Sequence, residues 1–154
     1  MKLSEIIHAK HIVLDLQATT RWEAIDELIE NLVMNGAIAE SNRDAITDAV
    51  KNREKSMSTG IGYGIGIPHA STDLIDNVIG VLGRSKVGIN FEALDNQPVT
   101  LVVLFLVPQG QFQKHLHTLA SIARQLHNSE FRTALENAED AGSICQILSQ
   151  PNNI

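Results

Sequence analysis

Residues Val99 to Val107 are apolar at every position except Thr100 and carry no charge. Strand side chains point alternately to opposite faces, so this run has no face to offer to water. It demands cover on both sides, as a central strand of an α/β sheet has. Its fully apolar part, Leu101 to Val107, falls far short of the about 20 residues a membrane-spanning helix needs. Asp95-Asn96-Gln97-Pro98 marks a turn before the run, and Pro108-Gln109-Gly110 marks one after it.

The rest of the chain supplies the cover. His11 to Leu16 reads as a first strand. Thr20 and Glu23 match a capping box that opens a helix, with Trp22, Ile25, Leu28, Ile29, Leu32 and Val33 at helical spacing and Gly36 as its stop. Ser41 and Asp44 open a second helix that runs out near Arg53-Glu54-Lys55. Val78–Gly83 and Gly88–Phe91 read as short strands. Phe112, Leu116, Leu119, Ile122, Ala123 and Leu126 give a long amphipathic helix, Ser129 caps a further one, and Ala141 to Leu148 forms the last. No repeat, low-complexity tract or linker interrupts the pattern, so residues 1–154 read as one α/β domain.

Composition removes several function classes. Twelve Lys and Arg stand against 18 Asp and Glu, for a net charge of −6, which disfavours a nucleic-acid binder. The 4% aromatic content also argues against a base-stacking platform. Cys145 has no partner cysteine and falls in an amphipathic run, so it reads as a buried thiol. The first residues lack a signal peptide's apolar stretch, and no segment suits membrane insertion, so the expected location is the cytoplasm.

The chemistry concentrates at Ser58 to Ala70. Four of the ten glycines, Gly60, Gly62, Gly64 and Gly66, alternate there and lead into Pro68 and His69. Glycine permits positive φ and close backbone approach, and N–H groups in series can line an anion-binding concavity. Ser58 and Thr59 add hydroxyls to this candidate phosphate-binding loop, or simply form its turn. Pro68 stiffens the arm that presents His69. Neutral imidazole is a nucleophile near neutral pH, so His69 is a candidate acceptor of a phosphoryl group from another protein. A P-loop reading fails because no Lys-Ser or Lys-Thr follows Gly66, and strict alternation does not match the dinucleotide fingerprint.

His115 and His117 would share a face in a strand, but in a helix they diverge, which weakens a metal chelate. Spacing leaves His117 either a solvated helix residue or a group that reaches the site. Arg53, ending its helix, is either a dipole partner or an arginine for phosphoryl oxygens. His8, His11 and His127 have no partner pattern, and the absence of G-x-S-x-G leaves a serine hydrolase without support.

Arg53-Glu54, Ser58-Thr59-Gly60-Ile61-Gly62 and Gly64-Ile65-Gly66-Ile67-Pro68-His69 together resemble the active-site signature of type-2 IIA domains. These belong to the bacterial phosphoenolpyruvate:sugar phosphotransferase system, fructose/mannitol class. The likeness continues through Phe91 to Val99, Leu106-Val107-Pro108 and His115 to Leu119, and Asp95-Asn96-Gln97-Pro98-Val99 most resembles the nitrogen-regulatory branch, IIA-Ntr. One departure is Gly66, where the family commonly has alanine. The resemblance implies a three-layer α/β/α sandwich with a mixed central sheet. It also implies that His69 is the phosphoryl acceptor, loaded by an HPr-like phosphocarrier, with His117 orienting the group and Arg53 on its oxygens. No metal, nucleotide or other cofactor is implied. Three functions compete: a phosphorelay regulator of partner proteins, a sugar-transport component feeding a IIB domain, and a non-catalytic anion-binding module.

Overall fold

The apolar run forms a strand over Val99–Pro108 whose alternate side chains enter two separate cores. Val102, Leu104 and Leu106 face one layer, while Leu101, Val103 and Phe105 face the other. All six are fully buried. Each is worth about 1.5–3 kcal/mol relative to an exposed position, which makes this strand the main anchor between the layers.

The structure, a computed structural model, describes residues 3–149; residues 1–2 and 150–154 of the expected domain lie outside the described residues. In chain order the elements are α1 (Leu3–Ile6), β1 (Ile12–Val13), α2 (Arg21–Met34), α3 (Arg43–Ser56), β2 (Gly60–Gly62), β3 (Ile65–Gly66), β4 (His69–Thr72), β5 (Ile79–Ile89), β6 (Val99–Pro108), α4 (Phe112–Leu126), α5 (Ser129–Asn137) and α6 (Ala141–Ser149). The sheet order is β1-β5-β6-β3-β2, and β4 also pairs with β6. β1 is parallel to β5, β3 and β4 are parallel to β6, and β5 is antiparallel to β6. Helices α2 and α3 cover one face, and α1, α4, α5 and α6 supply apolar residues to the other. This is the expected three-layer sandwich with a mixed central sheet.

Local signals decided several boundaries. The capping box forms: Thr20 Oγ1 accepts from Glu23 N–H at 3.2 Å and Glu23 Oε1 accepts from Thr20 N–H at 3.2 Å. The second helix instead starts from a 3-10 turn over Glu40–Asn42, with no side-chain cap. In α5 the cap is Asn128 rather than Ser129, because Asn128 Oδ1 accepts from the Glu130 and Phe131 N–H groups.

Three other expectations shift. Val78–Gly83 and Gly88–Phe91 are not separate strands; most of the first and the Gly88–Ile89 half of the second belong to β5, whose pairing with β6 slips between Arg84 and Ile89. Gly88, at φ 90°, turns the chain there with its N–H on Ser85 Oγ. β1 is confined to Ile12–Val13, because a 3-10 turn occupies Ala9–His11 before it and the chain bends at Leu14–Asp15 after it. On α4 the buried positions are His115, Ile122 and Leu126 with Leu119 beside them, whereas Leu116 is 47% exposed. The 115–119–122–126 spacing keeps one face, and Leu116 falls off it.

Candidate functional site

The glycine segment is a β-hairpin laid against the end of the sheet. β2 and β3 pair antiparallel through Gly60↔Gly66 and Gly62↔Ile65, and β3 in turn pairs with β6. Tyr63 and Gly64, at φ 57° and 79°, make the connecting turn with both central residues left-handed, as in the hairpin turns that match strand twist. The tip is held from outside by the Arg132 guanidinium, 5.0 Å from the Tyr63 ring centre, and by the His127 ring at 5.2 Å. Gly60 and Gly66 have a packing reason: a Cβ on Gly60 would meet Ala93 Cβ at 2.7 Å, and one on Gly66 would meet the Phe91 ring at 2.8 Å. The alternation thus satisfies hairpin geometry and close packing before it offers anything to an anion.

Backbone and hydroxyl donors expected to line a phosphate cradle are largely engaged within the protein. Ser58 Oγ donates to the Phe91 carbonyl at 2.6 Å and accepts from Gly60 N–H at 3.1 Å. Thr59 donates its hydroxyl to Glu54 Oε1 at 2.6 Å and its N–H to Glu54 Oε2 at 2.9 Å. Tyr63 N–H donates to Asp95 Oδ2 at 3.2 Å. These bonds fix the hairpin.

His69 opens β4, level with Phe105 on β6. Its Nδ1 lies 2.9 Å from the Ile67 carbonyl oxygen. A carbonyl can only accept, so Nδ1 carries the ring proton and Nε2 the lone pair. The Phe112 ring stacks on the imidazole, with centroids 6.1 Å apart and planes 20° from parallel. Burial lowers the histidine's proton affinity and the nearby Arg53 charge lowers it further, against the Ile67 carbonyl and Glu54, which raise it. The net direction is down, which keeps the ring neutral and nucleophilic at neutral pH.

Arg53 and Glu54, adjacent in α3, behave oppositely. Arg53 is exposed and takes part in no ion pair among the described residues. Glu54 is 1% exposed and bonded to Arg21 Nη1 at 3.2 Å as well as to Thr59. Arg21 also reaches Glu92 at 3.1 Å. The sequence alone assigns no role to Glu54 beyond its place in the signature, none to Arg21, and no stacking to Phe112. Glu54 had a signal: Ile46, Val50 and Glu54 recur every fourth residue on the buried face of α3, so the carboxylate occupies a core position.

The His115–His117 pair splits as a helix requires, with His115 buried and His117 exposed on α4. Phe112, at the start of the same helix, touches His69; among the described residues His117 forms no hydrogen bond with it. The structure therefore gathers Arg53, Glu54, Thr59, Phe112 and His69, and carries His117 on the helix that borders them.

Fold and site together define an α/β/α domain built around a neutral, oriented imidazole beside a guanidinium that pairs with no carboxylate among the described residues. The chain belongs to the family described as phosphoenolpyruvate-dependent sugar phosphotransferase system, EIIA 2, whose profile matches residues 5–150. It is thus a IIA-type phosphotransferase domain. It is 36% identical over 150 residues to the PTS system fructose-specific EIIABC component of Bacillus subtilis, covering 97% of this chain and 23% of that longer protein. It is 31% identical over 151 residues to the nitrogen regulatory protein of Bradyrhizobium diazoefficiens, covering 98% of this chain and 97% of that one. The crystal structure of nitrogen regulatory protein IIA-Ntr from Neisseria meningitidis superposes with a TM-score of 0.86 at 27% identity, covering 96% of this chain and 99% of that one. Among the described residues no helix is long and apolar enough to cross a membrane.

Proposed function

We propose that the protein is a phosphorelay regulator of the nitrogen-regulatory branch, loaded on His69 in the cytoplasm by the phosphohistidine of an HPr-like phosphocarrier. The supporting observation is the bond from His69 Nδ1 to the Ile67 carbonyl, which leaves the lone pair on Nε2. Nε2 attacks the donor's phosphorus; a new N–P bond forms as the donor's N–P bond breaks. A donor ring protonated on its second nitrogen leaves as neutral imidazole, and the His69 ring, keeping its Nδ1 proton, becomes a phosphorylated imidazolium.

The transferred group spreads its charge over three equatorial oxygens, so the protein's task is positioning and charge stabilisation. The planar fork of Arg53 suits those oxygens, and His117 on α4 orients the group. In this proposal the Ser58–Gly66 hairpin is the rigid wall of the site: Ser58, Thr59, Gly60, Gly62, Gly64 and Gly66 hold the arm that presents the ring. Phosphorylation adds negative charge and acceptor oxygens beside a neutral ring, enough to favour or forbid a partner surface.

A second reading is a fructose/mannitol-type component that passes the phosphate to a IIB domain; the 36% identity to a fructose-specific protein favours it. Incubation with phosphoenolpyruvate, enzyme I and the HPr-type carrier tests both. Wild type should gain acid-labile phosphate, His69→Ala none, and His117→Ala should label on the order of a hundredfold more slowly. Unlabelled wild type would remove both readings and leave an anion-binding module. Rapid onward transfer to a IIB domain would favour sugar transport.

A further inference from the structure

We infer that Glu54 is a positioning residue for His69, acting through Thr59 and Ile67. The inference rests on His69 as the acceptor. Four hydrogen bonds connect these groups in series. Arg21 Nη1 donates to Glu54 Oε2 at 3.2 Å, and the Thr59 N–H donates to the same oxygen at 2.9 Å. The Thr59 carbonyl accepts the Ile67 N–H at 3.0 Å, and the Ile67 carbonyl accepts His69 Nδ1–H at 2.9 Å. A further bond, Thr59 Oγ1 to Glu54 Oε1 at 2.6 Å, locks the Thr59 side chain as well.

The position of Glu54 calls for an explanation beyond packing. It continues the Ile46–Val50 stripe of α3, where an aliphatic side chain would fill the same space. Burying a carboxylate is unfavourable unless its oxygens are paired, and exchanging such a pair for well-packed apolar groups is often neutral or stabilising. A carboxylate here makes sense for what it does to its neighbours. Anchored by Arg21, itself only 12% exposed in its side chain, it fixes the Thr59 peptide and therefore the carbonyl that receives Ile67.

Each link polarises the next, since a peptide whose N–H meets an anion is a better acceptor at its carbonyl. The chain ends at the carbonyl that selects the Nδ1–H tautomer. A second effect runs through space: the Glu54 charge favours the positive ring, opposing Arg53 and burial. The ring becomes positive when Nε2 accepts the phosphoryl group. Glu54 thus both aims the nucleophile and stabilises the product ring, while Arg53 faces the oxygens.

Glu54→Gln preserves the shape and removes the charge. Nitrogen-15 spectra of the unphosphorylated protein should show His69 losing its single Nδ1–H tautomer and titrating at lower pH than in wild type. Labelling by the phosphorylated carrier should slow about tenfold or more at saturating carrier, with the half-saturating carrier concentration unchanged, because aim is lost and docking is not. Glu54→Leu, which fills the same space and removes both the charge and the acceptor for the Thr59 N–H, should act in the same direction and decides the matter if Glu54→Gln does not fold; Thr59→Ser, which keeps the hydroxyl, should behave as wild type. A folded Glu54→Gln, or failing that a folded Glu54→Leu, with wild-type tautomer, titration and saturating rate overturns the inference. The spectra need no phosphate donor, so a wild type that is never labelled sinks the acceptor reading while the tautomer still decides the role of Glu54.

Discussion

Nδ1 of His69 lies 2.9 Å from the carbonyl oxygen of Ile67, two residues earlier in the chain. Pro68 between them buries its ring, and its own carbonyl accepts the Phe105 N–H of β6 at 3.0 Å. The imidazole is therefore held by a short arm tied to the central strand. Its orientation belongs to the sheet and not to a loose side chain.

That holding sets a pH dependence. Burial is the leading cause of the lowered proton affinity of His69, with the Arg53 charge in the same direction. The ring should titrate below the ordinary histidine value of about 6.5. Phosphate acceptance should be flat through neutrality and fall only at lower pH, as Nε2 takes a proton in place of phosphorus. Histidine-resolved titration and the labelling rate should share that midpoint; one at or above the ordinary value contradicts the account. Stability follows by linkage. The unfolded chain binds the proton more readily than the folded one, so folding stability should rise with pH from the folded midpoint up to about 6.5 and level off above. His11, also lowered mainly by burial, adds a contribution of the same sign.

Arg53→Gln separates charge from fold. The side chain is exposed, so stability should stay within about 0.5 kcal/mol of wild type in urea unfolding. Removing the guanidinium removes a cause that lowers His69, so the histidine should titrate at higher pH. Labelling should nonetheless slow, since a more basic ring without a cation for the oxygens is a poorer acceptor site. Faster labelling in this variant would contradict the assignment of Arg53.

Two glycines should respond to alanine with opposite signs. A Cβ on Gly60 would sit 2.7 Å from Ala93 Cβ and 2.9 Å from its Cα, so backbone must move, at a cost of about 1–3 kcal/mol. Gly142 lies exposed in α6 with its nearest neighbour at 3.5 Å, so alanine there should stabilise by up to about 1 kcal/mol. Urea midpoints of the two variants provide the comparison; equal effects would remove the packing explanation for Gly60.

These contrasts show what the sequence could carry. The strand at Val99 to Pro108 and the Thr20–Glu23 cap were legible because their causes are local: alternation into two cores, and a reciprocal bond within one turn. β5 was not legible as one strand, since the slip between Arg84 and Ile89 is defined only by its partner β6. The face of α4 was misjudged by one residue because His115, a polar type, takes a buried position and Leu116 does not. At the site, Gly-Pro chemistry pointed to His69, yet the glycines proved to be hairpin and packing residues. Glu54 is visible in the sequence only as part of the signature and Phe112 only as part of a helix, because their contacts depend on elements far apart in the chain, Thr59 and Arg21 for one and β4 for the other.

Phe112 provides the last test, because it joins the helix that carries His117 to the ring of His69. Its ring lies nearly parallel to the imidazole at 6.1 Å between centroids, so it shields one face from water. Such shielding contributes to the burial that lowers His69, and truncation should return part of the lost proton affinity. Phe112→Ala should therefore move the His69 titration upward towards its ordinary value, and Phe112→Leu, which keeps apolar cover without a ring, should move it less. Stacking also ties the first turn of α4 to β4, so amide exchange in that turn should quicken in the alanine variant. Both variants should retain the Nδ1–H tautomer, because the Ile67 carbonyl is untouched. A folded Phe112→Ala with an unmoved titration would mean that the shielding comes from elsewhere in the site.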